Sequence, residues 1–378
     1  MQQILIKNGM NYDPLTKEKA VKDIALSEGR IVSASGFEPS HTVDASGCLV
    51  IPGLIDFHVH CLPSASVLGV NPELYCLPNG ICSCVDAGSS GVSTFNTALL
   101  HTIAGSPVTI KALLHFSSAG QIAGSFPEDQ TPGFWERDKI KDTVKNHPGI
   151  IRGLKLRFSD NVLEHFKLGI EVLEEGIRFA EELGLPIVLH VNNPGIEIDT
   201  IAGLLRKGDV YCHVYSGSRE NILDASGRVR RSIVNARERG VIFDAAAGRR
   251  NFLFAVARKA MEQGFTPDII SSDMNLGCFN IQPVISLPRL MSRYLALGLD
   301  LYELIDRSTV NPARWLGSPE SASLGEGSPA DIAIFKIVEK ETVFIDSSGA
   351  AEKGKQVLVP QMTVKNGIIM YTQCDFIQ

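Results

Sequence analysis

The sequence predicts an α/β fold, a (β/α)₈ barrel carrying a small β-domain built from both chain ends. Two observations lead there. First, eight short apolar runs alternate with longer amphipathic stretches between residues 52 and 317. The runs are Gly53–Val59, Gly80–Asp86, Val108–Phe116, Ile150–Phe158, Pro186–Val191, Asp209–Tyr215, Gly240–Ala246 and Asp268–Asp273. Strands alternating with helices over this span form a parallel sheet, and eight of them close into a barrel. A doubly wound open sheet is the competing arrangement, but no GxGxxG turn follows the first strand. Second, segments 1–51 and 318–378 lack helical periodicity and read as short strands and turns.

The elements follow in order. Ile4 and Ile6 alternate with polar neighbours until Asn8-Gly9 breaks the run, and Glu28-Gly29 marks a hairpin-like turn. Within the barrel span, the stretch from Leu168 to Leu183 repeats apolar residues every three or four positions. It predicts a helix capped by Gly184, before Pro186. After Gly317, alternation returns in Pro329–Phe335 and Met362–Lys365, so the two ends are expected to pair.

Composition narrows the function. A net charge of −6 over 378 residues disfavours a general nucleic-acid binder, which needs a basic face. Eight cysteines in a chain this long make no disulfide framework and read as buried small apolar residues. No secretory signal or membrane-spanning run is visible, so a cytoplasmic protein with reduced thiols is expected.

The strongest chemical signal is His58-Val-His60 at the end of the first barrel strand. Side chains at i and i+2 share a strand face, and at the C-terminal end of a barrel strand that face opens on the mouth. Two imidazoles placed so can bind one metal. Lys155, His190, His213 and Asp273 also fall at strand ends. Their spacing matches whole barrel units of about 32 residues, with one compact unit. This puts the candidates on strands 1, 4, 5, 6 and 8. Each alone has an ordinary explanation, such as a core histidine, a rim lysine or a helix cap; the ordered set does not.

With these residues in hand, the chain resembles the amidohydrolase superfamily, in its two-metal branch with dihydroorotases, hydantoinases and N-acyl-amino-acid deacetylases. The resemblance spans nearly the whole chain. It includes Ile51-Pro-Gly-Leu-Ile-Asp-Phe-His-Val-His60, Val310-Asn-Pro-Ala-Arg-Trp-Leu-Gly317 and Gly327-Ser-Pro-Ala-Asp-Ile-Ala-Ile-Phe335. It implies that the segments at both chain ends form a composite β-sandwich, and it implies two divalent metal ions, zinc first. His58, His60 and Asp273 would bind the more buried ion, and His190 and His213 the more exposed one. Lys155 would be carbamylated and bridge the two. Asp273 would act as the catalytic base, working with a hydroxide held between the metals. The setting of Lys155 and the stretch Asp86–Gly91 look most like a small deacetylase branch labelled dihydroorotase-like.

Two rivals from the same superfamily fit less well. A one-metal deaminase places a glutamate shortly after the strand-5 histidine, whereas no acid follows His190 until Glu197. Dihydroorotase proper carries an arginine two residues after the HxH pair, where this chain has Leu62. The expected substrate is a small, carboxylate-bearing N-acyl amino acid or acylated hydroxy acid. Arg157 shares strand parity with Lys155, and Arg249 follows strand 7; either can grip a carboxylate. Asn192 and Tyr215 lie two residues beyond His190 and His213 and are expected to face the same way. Met274 opens the loop after strand 8 and is expected in the pocket. His101, His115, His147 and His165 read as structural or surface residues. A homo-oligomer is expected, with no membrane or nucleic-acid partner.

Overall fold

The computed structural model describes residues 2–123, 128–217 and 219–376. Seven parallel strands form one curled sheet in strict chain order: Leu54–Val59, Ile81–Asp86, Thr109–His115, Ile151–Ser159, Ile187–Asn192, Val210–Cys212 and Ile242–Asp244. Segment 268–274 closes the sheet. It bridges Asp244 to Ile269 on one side and Val59 to Met274 on the other, both in parallel. The architecture is the (β/α)₈ barrel.

This eighth segment differs from a regular strand, and its side chains say why. The Ser272 N–H donates to Asp56 Oδ1 at 2.9 Å, and Ser271 Oγ donates to Asp244 Oδ1 at 2.6 Å. A side-chain acceptor thus takes the Ser272 N–H, which a ladder would use. Asp273 then turns the backbone at φ 51°. The sixth strand likewise stops at Cys212 rather than Tyr215, because His213 sits at φ 65°.

Every residue of Leu54–Val59 is buried, since helices cover the outer face and side chains fill the barrel interior. The helix Glu171–Leu183 buries Val172, Leu173, Ile177, Phe179 and Ala180. Each such aliphatic or aromatic side chain contributes about 1.5–3 kcal/mol. The helix ends at Gly184, whose φ of 64° lets its N–H reach back to Ala180 and Glu181 carbonyls.

The chain ends form two further sheets. One orders Arg30–Val32, Ile24–Ser27, Ile4–Lys7 and His41–Asp44. The other is six-stranded and mixes both ends: Leu49–Pro52 pairs antiparallel with Ile332–Ile345 and parallel with Met10–Tyr12. Ile4, Ile6, Leu26, Val50, Ile332 and Val364 share one apolar core between the sheets. The hairpin Ile332–Ile345/Ala351–Lys365 also reaches the barrel. At its tip the Ser347 N–H donates to Phe252 O at 3.0 Å and Asp346 Oδ2 accepts from Phe254 N–H at 2.9 Å.

Candidate metal centre

The six candidate ligands arrive at one rim from five strand ends. His58 Nε2 lies 3.7 Å, and His60 Nε2 3.5 Å, from Asp273 Oδ1. Lys155 Nζ is 3.4 Å from His58 Nε2, and His190 Nδ1 is 2.7 Å from His213 Nε2. The rings of His58 and His213 are 5.2 Å apart, which joins the two halves. His213, Ala246 and Asp273 have positive φ, a cost of about 1–2 kcal/mol each for a non-glycine residue. Strain clustered on a barrel rim marks a constrained site.

Each imidazole that offers Nε2 is held by its other nitrogen. His58 Nδ1 faces Asp244 Oδ2 at 3.3 Å, and His213 Nδ1 donates to Ala246 O at 2.6 Å. His60 Nδ1 donates to Ser89 Oγ at 2.9 Å, and that hydroxyl donates to Asp86 Oδ2 at 2.7 Å. These bonds fix the tautomers and leave lone pairs on Nε2 facing the centre. On the carboxylate side, Asn251 Nδ2 donates to Asp273 Oδ2 at 2.9 Å, and Asn192 Nδ2 donates to Asn251 Oδ1 at 2.7 Å. Gly248 leaves room for this: a Cβ there would lie 2.2 Å from Asp273 Oδ2.

Electrostatics favour cation binding. Burial, with Lys155 nearby, holds His58 well below the usual imidazole range, and burial brings His213 down to about 3. Burial and His213 do the same to His190. Neutral imidazoles are the ligand form. Burial pushes Asp273 up, but the His60 hydrogen bond and the His58 and His213 neighbours outweigh it and keep the carboxylate ionised. Burial lowers Lys155, which has no ion-pair partner among the described residues, and so favours its neutral amine more than solvent does.

The donors fit a divalent metal. Ligand atoms about 2.0–2.1 Å from a tetrahedral zinc stand about 3.3 Å apart. The His58, His60 and Asp273 separations are close to that, whereas His190 and His213 must part by about 0.6 Å. A second buried group, His58, Cys212 and Asp244, lies within metal-binding reach on paper. In it Asp244 accepts from Ser271 and faces His58 Nδ1, so it orients that ring, and burial drives the Cys212 thiol well above its usual value.

The Amidohydrolase family profile matches residues 49–370. The chain belongs to the amidohydrolase family. A deacetylase of Enterococcus faecalis (strain ATCC 700802 / V583) is 28% identical over 370 residues, covering 97% of this chain and 98% of that protein. A crystal structure of an adenine deaminase superposes with a TM-score of 0.89 at 27% identity, covering 99% of this chain and 100% of the other. A crystal structure of a dihydroorotase gives 0.89 at 26%, covering 99% and 98%. The chain is therefore a metal-dependent hydrolase in a family whose members differ in substrate.

In this amidohydrolase a cavity of about 1050 Å³ opens above the six residues, and His60, His190, Asn192, Asn251 and Asp273 line it. Arg249 and Arg250 also line it, exposed and without an ion-pair partner among the described residues. Arg157 lines it too, but both oxygens of buried Glu128 hold its Nη1, at 3.1 and 3.0 Å. Its charge is already paired inside the protein, so it is less free than Arg249 and Arg250 to meet a substrate carboxylate. Two expectations need correction. Tyr215 is buried and its hydroxyl donates to Phe265 O at 2.8 Å, because the chain turns at His213 and breaks the strand parity. Met274 is buried beside Cys278, and its carbonyl accepts from His60 N–H as part of the barrel closure.

Other residues were not singled out by the sequence reading. Asn251 and Ser89 hold ligands, and Glu128 neutralises Arg157. Ser347 and Ser348 bring the C-terminal hairpin to the cavity wall, and His165, expected to be structural or on the surface, lines it. Only Ser89 lay in a stretch named from the sequence, Asp86–Gly91, and there through the family resemblance.

Proposed function

We propose that this amidohydrolase is a binuclear zinc deacylase acting on N-acyl amino acids or acylated hydroxy acids. His58, His60 and Asp273 would hold one ion, His190 and His213 the other, and a carbamylated Lys155 would supply anionic oxygens to both. Bound there, the ions supply Lewis acidity and bring coordinated water towards a pKa of about 7. Asp273 takes a proton from the attacking water and delivers it to the leaving nitrogen or oxygen as the acyl bond breaks. Asn251 fixes the Asp273 carboxylate through Oδ2. Arg249, with Arg250 beside it, binds the substrate carboxylate at the rim. Asn192 lies deeper, beside Asn251, where the acyl group would sit.

The observation that carries this reading is the convergence of six ligand-type side chains under an open cavity whose unpaired charges are arginines. The deaminase alternative gains little support, since Glu197, the first acid after His190, is exposed and outside that cavity. Cyclic-amide hydrolysis is the second reading, supported by the dihydroorotase likeness. Assays on N-acetyl amino acids of both hands, acylated hydroxy acids, adenine and dihydroorotate separate the three. Turnover of the acylated acids is expected; turnover of dihydroorotate or adenine alone overturns the proposal. Asp273→Asn should abolish turnover in every case.

A further inference from the structure

A buried histidine outside the ligand set stands beside Lys155. His115 ends the third barrel strand, is fully buried, and is the register partner of Lys155 on the adjacent parallel strand. The two side chains therefore leave the sheet on the same face. They flank one glycine: a Cβ on Gly88 would lie 2.6 Å from Lys155 Cγ and 3.5 Å from His115 Cδ2. His115 Cδ2, the carbon next to Nε2, and the lysine stem thus close on the same glycine.

The ring's protonation follows from its one bond. His115 Nδ1 accepts the Ser117 N–H at 3.0 Å, so the proton sits on Nε2. That Nε2–H is buried and has no partner. Ser90 Oγ and Gln121 Oε1, on the two loops that join here, are also buried without partners. The loops are tied together by His115 N–H to Ser90 O at 3.0 Å and Gln121 N–H to Ser89 O at 3.0 Å. A buried donor without an acceptor costs about 1–3 kcal/mol. An acceptor absent from the unmodified chain would remove that cost.

We infer that His115 is a positioning residue whose Nε2–H donates to the carbamate formed on Lys155, retaining carbon dioxide on the lysine. The inference rests on the carbamate reading of Lys155 above. In the step, the Nζ lone pair forms an N–C bond to carbon dioxide. One C=O π pair moves onto oxygen, and one amine proton leaves to solvent. The product is an anionic carbamate, and a donor aimed at its oxygens favours it over the free amine.

The test reads the modification directly. Protein with zinc is titrated with ¹³C-bicarbonate, and the carbamate carbon is followed by NMR in the parent, His115→Phe and His115→Gln. His115→Phe should need about tenfold more bicarbonate for half-occupancy, which corresponds to about 1.4 kcal/mol. His115→Gln, which keeps an N–H donor at that reach, should stay within about threefold of the parent. If His115→Phe does not fold, His115→Met replaces it. Equal half-occupancy in the parent and the apolar variant overturns the role of His115 while leaving the carbamate intact. Equal impairment of both variants overturns the role as well, because burial rather than donation would then explain the effect. A parent with no carbamate signal overturns the modification and this role together.

Discussion

Gly248→Ala is a sharp test of how the centre is held. Gly248 has φ 51°, and an added Cβ would lie 2.2 Å from Asp273 Oδ2 and 2.8 Å from Asn251 Nδ2. A carbon and an oxygen rest about 3.3 Å apart, so the carboxylate must retreat by about 1 Å. Displacing a reacting group that far costs about 100-fold in turnover. Disturbing the support of a ligand costs about 10–100-fold in metal affinity. The backbone adds about 1–2 kcal/mol, because alanine resists the left-handed region. Gly264→Ala isolates that last part: its φ is 77° and nothing lies within 4 Å of the added carbon. Zinc retention against a competing chelator, turnover of the best acylated acid and thermal melting are measured on both variants. Gly264→Ala should lose stability alone, and Gly248→Ala should also lose zinc and turnover. A Gly248→Ala protein that binds zinc and turns over like the parent refutes the packing argument.

Other predictions follow from the same contacts. Ser89→Ala cuts the bond from His60 and should weaken zinc binding by about 10–100-fold, read by chelator competition. Arg157→Met leaves Glu128 buried without its cation and should cost about 2–3 kcal/mol in denaturant unfolding, reduced from the fully buried case because Arg157 is partly exposed; adding Glu128→Gln should restore much of it. Burial raises Glu128 but Arg157 holds it below the ordinary 4.5, so the pair stabilises above that value and loses its effect as pH falls through the folded pKa. The gap between parent and Arg157→Met should therefore close on acidification, and a gap that persists at low pH counts against the ion pair. Tyr215→Phe removes a buried hydrogen bond and should cost about 1 kcal/mol in stability with KM unchanged; a raised KM would return Tyr215 to the substrate.

Periodicity and residue spacing were enough to predict the barrel, because strand and helix repeats and their alternation are local properties. His58 and His60 were legible for the same reason: two residues apart on one strand, they must share a face. Lys155, His190, His213 and Asp273 were legible because successive strands of a barrel put their C-terminal ends on one rim. Parity failed where the backbone left the strand. His213 adopts a left-handed conformation, so Tyr215, two residues on, enters the core instead of the cavity. The pairing of Arg157 with Glu128, the hold of Asn251 on Asp273 and the arrival of Ser347 at the rim join segments whose sequence separation carries no signal. Such contacts depend on which loops pack together above the rim. Local patterning sets the elements and the side each residue faces; only three-dimensional packing decides which charges remain free to meet a substrate.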